Sequence, residues 1–258
     1  MANAVPSVAP STDRSAPSLE SAQVRAQLQL REMILAGELP GGARIAELSI
    51  VEKLGVSRTP IRAALMRLEQ EGLLESLPNG GFAVRTFSER DVSEAIELRG
   101  TIEGLSARLA AERGAPTVVL GEARECLNHI DAVLSQPALN DEAFSSYVTL
   151  NARFHALLSE MAGSEVIAKE LDRVSSLPFA SASGFVVVQA NSPGARDMLI
   201  VAQDQHRQVL DAIEQREGSR AEAIMREHSR LAQRNLRAAV ASHNLDQMPG
   251  VRLIRKRS

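Results

Sequence analysis

The sequence predicts a mainly α-helical protein in which an N-terminal winged helix-turn-helix precedes a C-terminal antiparallel all-α bundle. The chain has 258 residues, more than a single domain usually contains. Aromatic residues make up only 3% of the chain and tryptophan is absent, so its core must be built from Leu, Ala, Val and Ile, as in packed helices. Long apolar periodicities dominate the second part and predict about six to seven helices there.

The two ends of the chain predict tails, and the overall composition limits the class of protein. Residues 1–18 contain Ser, Pro and Ala without a basic and apolar leader, which predicts a disordered tail. The segment 244–258 ends in "VRLIRKRS" and predicts a solvated basic tail. No apolar run approaches the roughly 18–20 residues that span a bilayer, so we expect no membrane partner and a cytoplasmic location. The single cysteine, Cys126, excludes an internal disulfide and a cysteine-based metal site.

Residues 19–86 follow the element order of a winged helix-turn-helix. Apolar spacing from Val24 to Leu35 predicts a first helix, which ends at "AGELPGG" because the glycines and the proline cannot continue it. The next segment, "ARI", fits a short strand. "ELSIVEKLG" and "VSRTPIRAALMRLEQEG" predict two helices that end on Gly55 and Gly72. "LLESLPNGGFAVRT" then predicts two strands about a Pro-Asn-Gly-Gly turn.

The third predicted helix and the residues just before it carry an excess of positive charge. Between Lys53 and Leu68 there are four basic residues and no acidic one, although the net charge of the chain is −3. Arg58 and Arg62 lie one turn apart, so their side chains point the same way, and Ser57 is placed to cap their helix. Such a stripe suits a protein that reads duplex DNA, although a solvated helix face can also show it. The capping and the hairpin that follows favour DNA binding.

Residues 90–243 form the second predicted domain. Acidic side chains outnumber basic ones there, and long helical periodicities replace the short elements of the first domain. In "YVTLNARFHALL", Asn151 and His155 are four residues apart and share one helix face inside an apolar stripe. His206 and His228 also lie within helical periodicities. Spacing alone cannot join these residues, and three unrelated histidines bonded to neighbouring carbonyls are the alternative.

Several motifs of the chain resemble a known family. "LGVSRTPIRAALMRLEQEGLL" resembles the DNA-binding domain of the GntR family of bacterial transcription regulators. "AIELRGTIEGLSARLAAERG", with the later histidine pattern, is similar to the all-helical FCD-type ligand domain of the FadR subfamily. Together the two resemblances cover about 19–243. Within the family, "GARIAE", "NARFH" and "AIMREH" are most similar to repressors of vanillate catabolism.

The resemblance implies that a homodimer binds a palindromic double-stranded DNA operator. It places the start of a recognition helix in the major groove, where an arginine can read guanine and hydroxyl groups can hold phosphate. The residues at these positions are Ser57, Arg58, Thr59 and Arg62. Asn79 and Gly80, at the wing tip, are expected to approach the minor groove or the backbone. The family often has a basic or histidine-bearing wing tip, and this chain has "PNGG" there.

The resemblance also implies a divalent metal inside the helical bundle. The matching ligand positions are Asn151, His155, His206 and His228, whereas His129 and His243 match none. Three imidazoles and one oxygen suit zinc, with nickel, manganese or iron as alternatives. The family usually has Asp at the first position. The neutral Asn151 leaves the site more positive, so we expect weaker metal binding and stronger attraction of an anionic effector.

Arg99 matches a position where FCD-type sensors carry an arginine that faces the pocket. It can clamp a carboxylate, or it can form an ion pair with Glu103, four residues later. The resemblance implies a repressor that a small carboxylate, favoured to be an aromatic acid such as vanillate, releases from DNA. The alternatives are a sensor of another organic or sugar acid, a metal with a structural role alone, and a metal-dependent hydrolase. No HExxH-like pairing supports the hydrolase, so we do not expect an enzyme.

Overall fold

The computed structural model of the protein describes residues 19–137, 139–177, 180–182, 194–241 and 253–254. The predicted tail at 1–18, His243 and all of the predicted basic tail except 253–254 lie outside the described residues. The first domain contains three helices and a two-stranded sheet. Its elements are α1 (Leu19–Leu35), α2 (Glu47–Leu54), α3 (Arg58–Gln70), β1 (Leu74–Ser76) and β2 (Phe82–Val84).

The second domain contains six helices within the described residues. They are α4 (Glu89–Arg113), α5 (Thr117–Leu134), α6 (Asp141–Met161), α7 (Glu165–Ser175), α8 (Ala195–Glu214) and α9 (Gly218–Ala241). None of these helices, nor any other in the described ranges, has the length and apolarity needed to cross a membrane. The predicted fold class, a winged helix-turn-helix followed by an all-α bundle, is confirmed.

The winged helix-turn-helix forms because α3 buries one face and exposes the other. Ile61, Leu65 and Leu68 on the inner face are fully buried, which drives the packing of this short helix against α1. β1 and β2 pair as an antiparallel hairpin with Leu74 opposite Val84. The predicted strand "ARI" is present as a single bridge between Arg44 and Ala83, which adds a third segment to the outer edge of the hairpin.

The expected side-chain cap on α3 is not formed. Ser57 occupies the N-cap position with an extended backbone, but its side chain makes no capping hydrogen bond. By contrast, the Ser88 side chain at the start of α4 accepts from the backbone N–H of Asp91, and the Asp91 side chain bonds back, forming a full capping box. The two helix starts differ because α4 has an acidic residue, Asp91, three residues after its N-cap, whereas α3 has no acidic residue in its first turn.

α4 and α9 pack antiparallel and very closely. A Cβ added to Gly100 would lie 2.1 Å from Ser229 Oγ, and one added to Gly218 would lie 2.9 Å from Glu112 Cγ. The N-terminal half of α4 therefore faces the C-terminal half of α9, and the C-terminal end of α4 faces the N-terminal end of α9. The glycine at position 100 permits an approach that a larger residue would prevent.

α4 and α6 run in the same direction. The Glu103 carboxylate lies 2.7 Å from His155 Nδ1, and ten residues later the Arg113 guanidinium donates to the Ala162 carbonyl oxygen at 3.0 Å. Contacts thus advance together along both helices. The N-terminal half of α6 consequently lies at the same end of the bundle as the C-terminal half of α9.

The two domains share one hydrophobic core at that end of the bundle. Val92 and Ile96 of α4 and Leu236 of α9 belong to the buried cluster that also contains the apolar face of α3. At a second contact, the Ser176 hydroxyl after α7 donates to the Glu71 carbonyl oxygen after α3 at 3.4 Å. The DNA-binding domain is therefore packed on the ends of α4 and α9.

The expectation of a solvated basic tail does not hold at Leu253 and Ile254. Leu253 is 0% exposed and Ile254 is 8% exposed, and both lie in the shared core. The Phe87 backbone N–H, in the segment that joins β2 to α4, donates to the Leu253 carbonyl oxygen at 2.7 Å. The Leu-Ile pair is buried because it covers the apolar junction between the domains, which no local pattern in the tail indicates.

We predict that Leu253→Ala lowers the free energy of unfolding by about 2–5 kcal/mol, because a fully buried leucine leaves a cavity when it is truncated. Urea unfolding followed by circular dichroism measures the change. Val118→Ala is the control, since Val118 is 73% exposed and its truncation leaves no cavity. Equal stability of the two variants would contradict the burial of the tail residue.

Candidate functional site

The start of α3 presents a polar and cationic surface. Ser57, Arg58, Thr59 and Arg62 are all exposed, while the opposite face of the helix is buried in the core. Among the described residues neither Arg58 nor Arg62 has an ion-pair partner, whereas Arg67 lies 3.4 Å from the Glu71 carboxylate. Two unpaired guanidinium groups one turn apart are therefore available to an anionic partner such as duplex DNA.

The wing tip carries a cation that sequence reasoning missed. Asn79 and Gly80 are exposed in the turn between β1 and β2, where Gly80 and Gly81 adopt φ of 81° and 86°. The Arg44 guanidinium donates to the Gly80 carbonyl oxygen at 3.1 Å. The only signal for this contact was the short strand predicted at "ARI", which brings a residue from before α2 to the hairpin.

Three histidines from three helices converge inside the second domain. His155 of α6, His206 of α8 and His228 of α9 are buried, and one ring nitrogen of each lies within 4.8 Å of the others. The Nε2 atoms of His206 and His228 are 3.2 Å apart. His129 is exposed elsewhere on α5 and takes no part in this cluster. The alternative of three unrelated histidines is therefore wrong.

Each Nδ1 of the cluster faces a side-chain oxygen. The contacts join His155 to Glu103 at 2.7 Å, His206 to Gln203 at 3.3 Å, and His228 to Gln205 at 3.2 Å. The Gln203 amide is fixed in this orientation because its nitrogen donates to the Leu127 carbonyl and to Asp131. In the tautomer that carries the proton on Nδ1, these oxygens accept from Nδ1–H and each Nε2 is left with a lone pair.

The donor set fits a divalent metal ion. In that tautomer the His206 and His228 Nε2 lone pairs face each other at 3.2 Å, and His155 Nε2 is buried without a hydrogen-bond partner among the described atoms. Zinc–nitrogen bonds of about 2.0–2.1 Å at tetrahedral angles would place two ligand nitrogens about 3.4 Å apart. Burial lowers the pKa of His206 and of His228 well below the ordinary value, which keeps both imidazoles in the neutral form that binds metals.

Arg99 forms the ion pair with Glu103 and also lies on the wall of a cavity. It is 2% exposed, its Nη1 lies 3.3 Å from Glu103 Oε1, and it also lines a cavity beside His228. Its Nε is buried and has no hydrogen-bond partner in the described part of the chain. The ion pair thus holds the guanidinium at the cavity wall, with one N–H left to meet a ligand.

Glu103, which the sequence predicts only as a possible partner of Arg99, belongs to the site. Burial alone would raise the pKa of its carboxyl, but the charge of Arg99 and the hydrogen bond with His155 lower that pKa to about 2. The carboxylate is therefore ionised while it bonds to His155. The spacing of four residues between Arg99 and Glu103 was the only sequence signal, and it did not connect Glu103 to a histidine 52 residues away.

The cavity beside His228 is lined by both polar and apolar side chains. Its polar lining residues are Arg99, Tyr147, Asn151, His228 and Asn235. Its apolar lining residues are Ala182, Met198, Leu199, Ala202, Leu231 and Ala232. Asn151, predicted as a fourth ligand, is buried on the wall of this cavity, one turn before His155.

Two family models match the chain and together cover most of both domains. Residues 22–84 match the model described as bacterial regulatory proteins, gntR family. Residues 94–231 match the model of the FCD domain. The first match contains α2, α3 and the hairpin, and the second contains Arg99, Glu103 and all three histidines of the cluster.

Individual proteins and structures are similar to the chain over different lengths. A regulator in an unstable DNA locus of Streptomyces ambofaciens is 31% identical over 206 residues, which is 79% of this chain and 80% of that protein. A probable repressor of the D-xylose utilization operon of Paenarthrobacter nicotinovorans is 42% identical over 87 residues, only 32% of this chain and 38% of that protein. The structure of Escherichia coli McbR/YncC has the same fold, with a TM-score of 0.59 at 18% identity over 86% of this chain and 99% of that one.

We predict that Arg99→Met destabilises the protein by about 3–5 kcal/mol, because it leaves the buried Glu103 carboxylate without its cation. Arg90→Met is the matched control. Arg90 pairs with Glu94 at the same spacing on the same helix, but both side chains are exposed, so we expect no measurable change. Thermal unfolding of the two variants gives the comparison, and similar small shifts in both would show that Glu103 is not ionised.

Proposed function

Because the chain belongs to the GntR family of bacterial transcription regulators and its second domain is an FCD domain, we propose that it is a homodimeric repressor released from DNA by a small carboxylate. The observation that carries this proposal is the buried cluster of three histidines, of which His228 lines a cavity together with the Arg99 guanidinium. Such a site attracts an anion, and it sits in the domain that shares a core with the DNA-binding domain.

The DNA-binding surface consists of the start of α3 and the wing. We assign Arg58 and Arg62 to base edges in the major groove, where a guanidinium can bond guanine O6 and N7 together, and Ser57 and Thr59 to phosphates. The wing-tip residues Asn79 and Gly80 approach the minor groove or the backbone, with Arg44 beside them. A symmetric dimer presents two such surfaces, which requires a palindromic operator.

The metal proposed for the second domain is zinc, with nickel, manganese or iron as alternatives. His155, His206 and His228 would hold it through Nε2, and Asn151 would add its side-chain oxygen. When bound, the ion supplies a Lewis acid that can accept a carboxylate oxygen. The protein contributes the orientation of the imidazoles, through Glu103, Gln203 and Gln205, and the second anion contact, through Arg99.

The effector proposed is an aromatic acid such as vanillate. The motifs similar to repressors of vanillate catabolism support it, and so do the apolar side chains among the cavity's lining residues. A sugar acid or another organic acid is the second candidate. A hydrolase is disfavoured, because Glu227, the acid adjacent to His228, is paired at the surface with Arg230 at 2.8 Å.

We predict that Arg62→Ala abolishes binding to an operator selected from random duplexes with the wild-type protein. Each lost bidentate contact costs about 1–3 kcal/mol, and a dimer loses two. Gel-shift titration measures the affinity, and size-exclusion chromatography checks that the dimer is intact. Arg124→Ala, which removes an arginine of α5 that pairs with Glu214, serves as the control. Unchanged affinity of Arg62→Ala would overturn the assignment of the recognition helix.

We predict that His206→Ala abolishes metal binding and, with it, release from the operator by an aromatic acid. Wild-type protein purified without chelator should contain about one divalent ion per chain, and His129→Ala, which changes an exposed histidine, should contain the same amount. Elemental analysis and gel shifts with and without vanillate give the two readouts. Equal, negligible metal in wild type and His206→Ala would remove the metal site, and an acid that tightens operator binding would overturn the repressor.

A further inference from the structure

We propose that Arg44 is a DNA-binding residue, which supplies the wing with the positive charge that the hairpin itself lacks. Its ligand is the phosphate backbone of the operator, next to the wing tip. Arg44 precedes α2 and belongs neither to the recognition helix nor to the hairpin. The inference rests on the proposed function, since it assumes that α3 and the wing bind duplex DNA. It adds a contact that strengthens binding without reading a base.

The backbone at Arg44 is fixed to the outer edge of the hairpin. Arg44 forms an antiparallel bridge with Ala83 of β2. Next to it, the Ile45 backbone N–H donates to the Phe82 carbonyl oxygen at 2.8 Å. The segment is thus a short third strand of the wing, and the Arg44 side chain starts from a defined position beside the hairpin.

The Arg44 guanidinium reaches the tip of the wing. It donates to the Gly80 carbonyl oxygen at 3.1 Å, and a Cβ added to Gly81 would lie 3.7 Å from its Nη2. Neither glycine has a side chain that could separate the guanidinium from a DNA strand. A guanidinium has five N–H donors, so the bond to Gly80 leaves others that can meet phosphate oxygens.

Arg44 is the cation of the wing region. The hairpin from Leu74 to Val84 contains no basic residue and one acidic residue, Glu75. Arg44 is exposed and has no ion-pair partner in the described part of the chain, whereas Lys53 of α2 lies 2.6 Å from the Glu38 carboxylate. Because no carboxylate competes for it, the Arg44 guanidinium keeps its full attraction for phosphate.

The bond to Gly80 favours phosphate over base edges as the ligand. It holds the guanidinium against the hairpin, so the group does not project beyond the wing tip. Phosphates line the rims of a DNA groove, whereas base edges lie at its floor. A cation beside the tip therefore meets the backbone first, where its N–H donors form short, charge-assisted hydrogen bonds.

The test is the salt dependence of operator binding by the full-length protein, measured by gel-shift titration of wild type, Arg44→Ala and Arg44→Lys. A dimer that loses two phosphate contacts should bind about 30-fold more weakly at about 0.15 M salt, with a slope of log affinity against log salt that is less steep by about 2. Arg44→Lys keeps the charge and should keep the wild-type slope. Arg124→Ala, which removes a surface arginine of α5, is the control for the change in net charge.

Unchanged affinity of Arg44→Ala would overturn the proposal. Weaker binding with the wild-type slope would also overturn it, because Arg44 would then only shape the wing through its bond to Gly80.

A second measurement separates phosphate binding from base reading. The loss in Arg44→Ala should be equal on two duplexes that share the selected operator core but carry A·T-rich or G·C-rich flanks. A loss confined to one kind of flank would mean that Arg44 reads bases or groove shape, and would overturn the phosphate assignment. If wild type binds no selected duplex at all, the proposed function fails, and this inference fails with it.

Discussion

Gly100 faces α9 so closely that an added Cβ would lie 2.1 Å from Ser229 Oγ. The functional side chains of the second domain depend on this contact between α4 and α9 for their positions. Arg99 is adjacent to Gly100 on α4, and His228 is adjacent to Ser229 on α9. The close approach therefore brings a guanidinium and an imidazole to one cavity. Glu103, one turn further along α4, then reaches His155 on α6. A wider helix spacing would separate the cation, the carboxylate and the histidines.

The same two helices connect the cavity to the DNA-binding domain. Ala232 lines the cavity and also packs against the core that contains Ile61 and Leu65 of α3, and Leu236 lies within that core. A ligand that changes the angle between α4 and α9 must therefore also move the support of α3. For such a ligand to act, its affinities for the two arrangements must differ, and a factor of about 100 corresponds to about 2.7 kcal/mol of coupling.

The parts of the structure that local patterns determine could be predicted from the sequence, and those that depend on contacts between distant segments could not. The spacing of apolar residues and the capping and turn residues indicated the helices and the hairpin. The family resemblance predicted that His155, His206 and His228 belong to one site. Gln203 and Gln205 carry no signal of their own, because their role depends on how α8 meets α5 and α9. Arg44 at the wing tip and Leu253 in the shared core also depend on non-local pairing.

The position of Glu103 changes the charge expected around the neutral Asn151. From the sequence, an asparagine at the position of a carboxylate ligand left the site more positive by one charge. In the structure, the ionised Glu103 carboxylate bonds to His155 Nδ1 and so lies behind the proposed ligand nitrogen, Nε2. A carboxylate there makes the imidazole a stronger donor without occupying a coordination position. Among the described residues, the cavity is consequently lined by Arg99 and His228 and by no carboxylate, which favours an anion there, because the negative charge of Glu103 is kept behind His155.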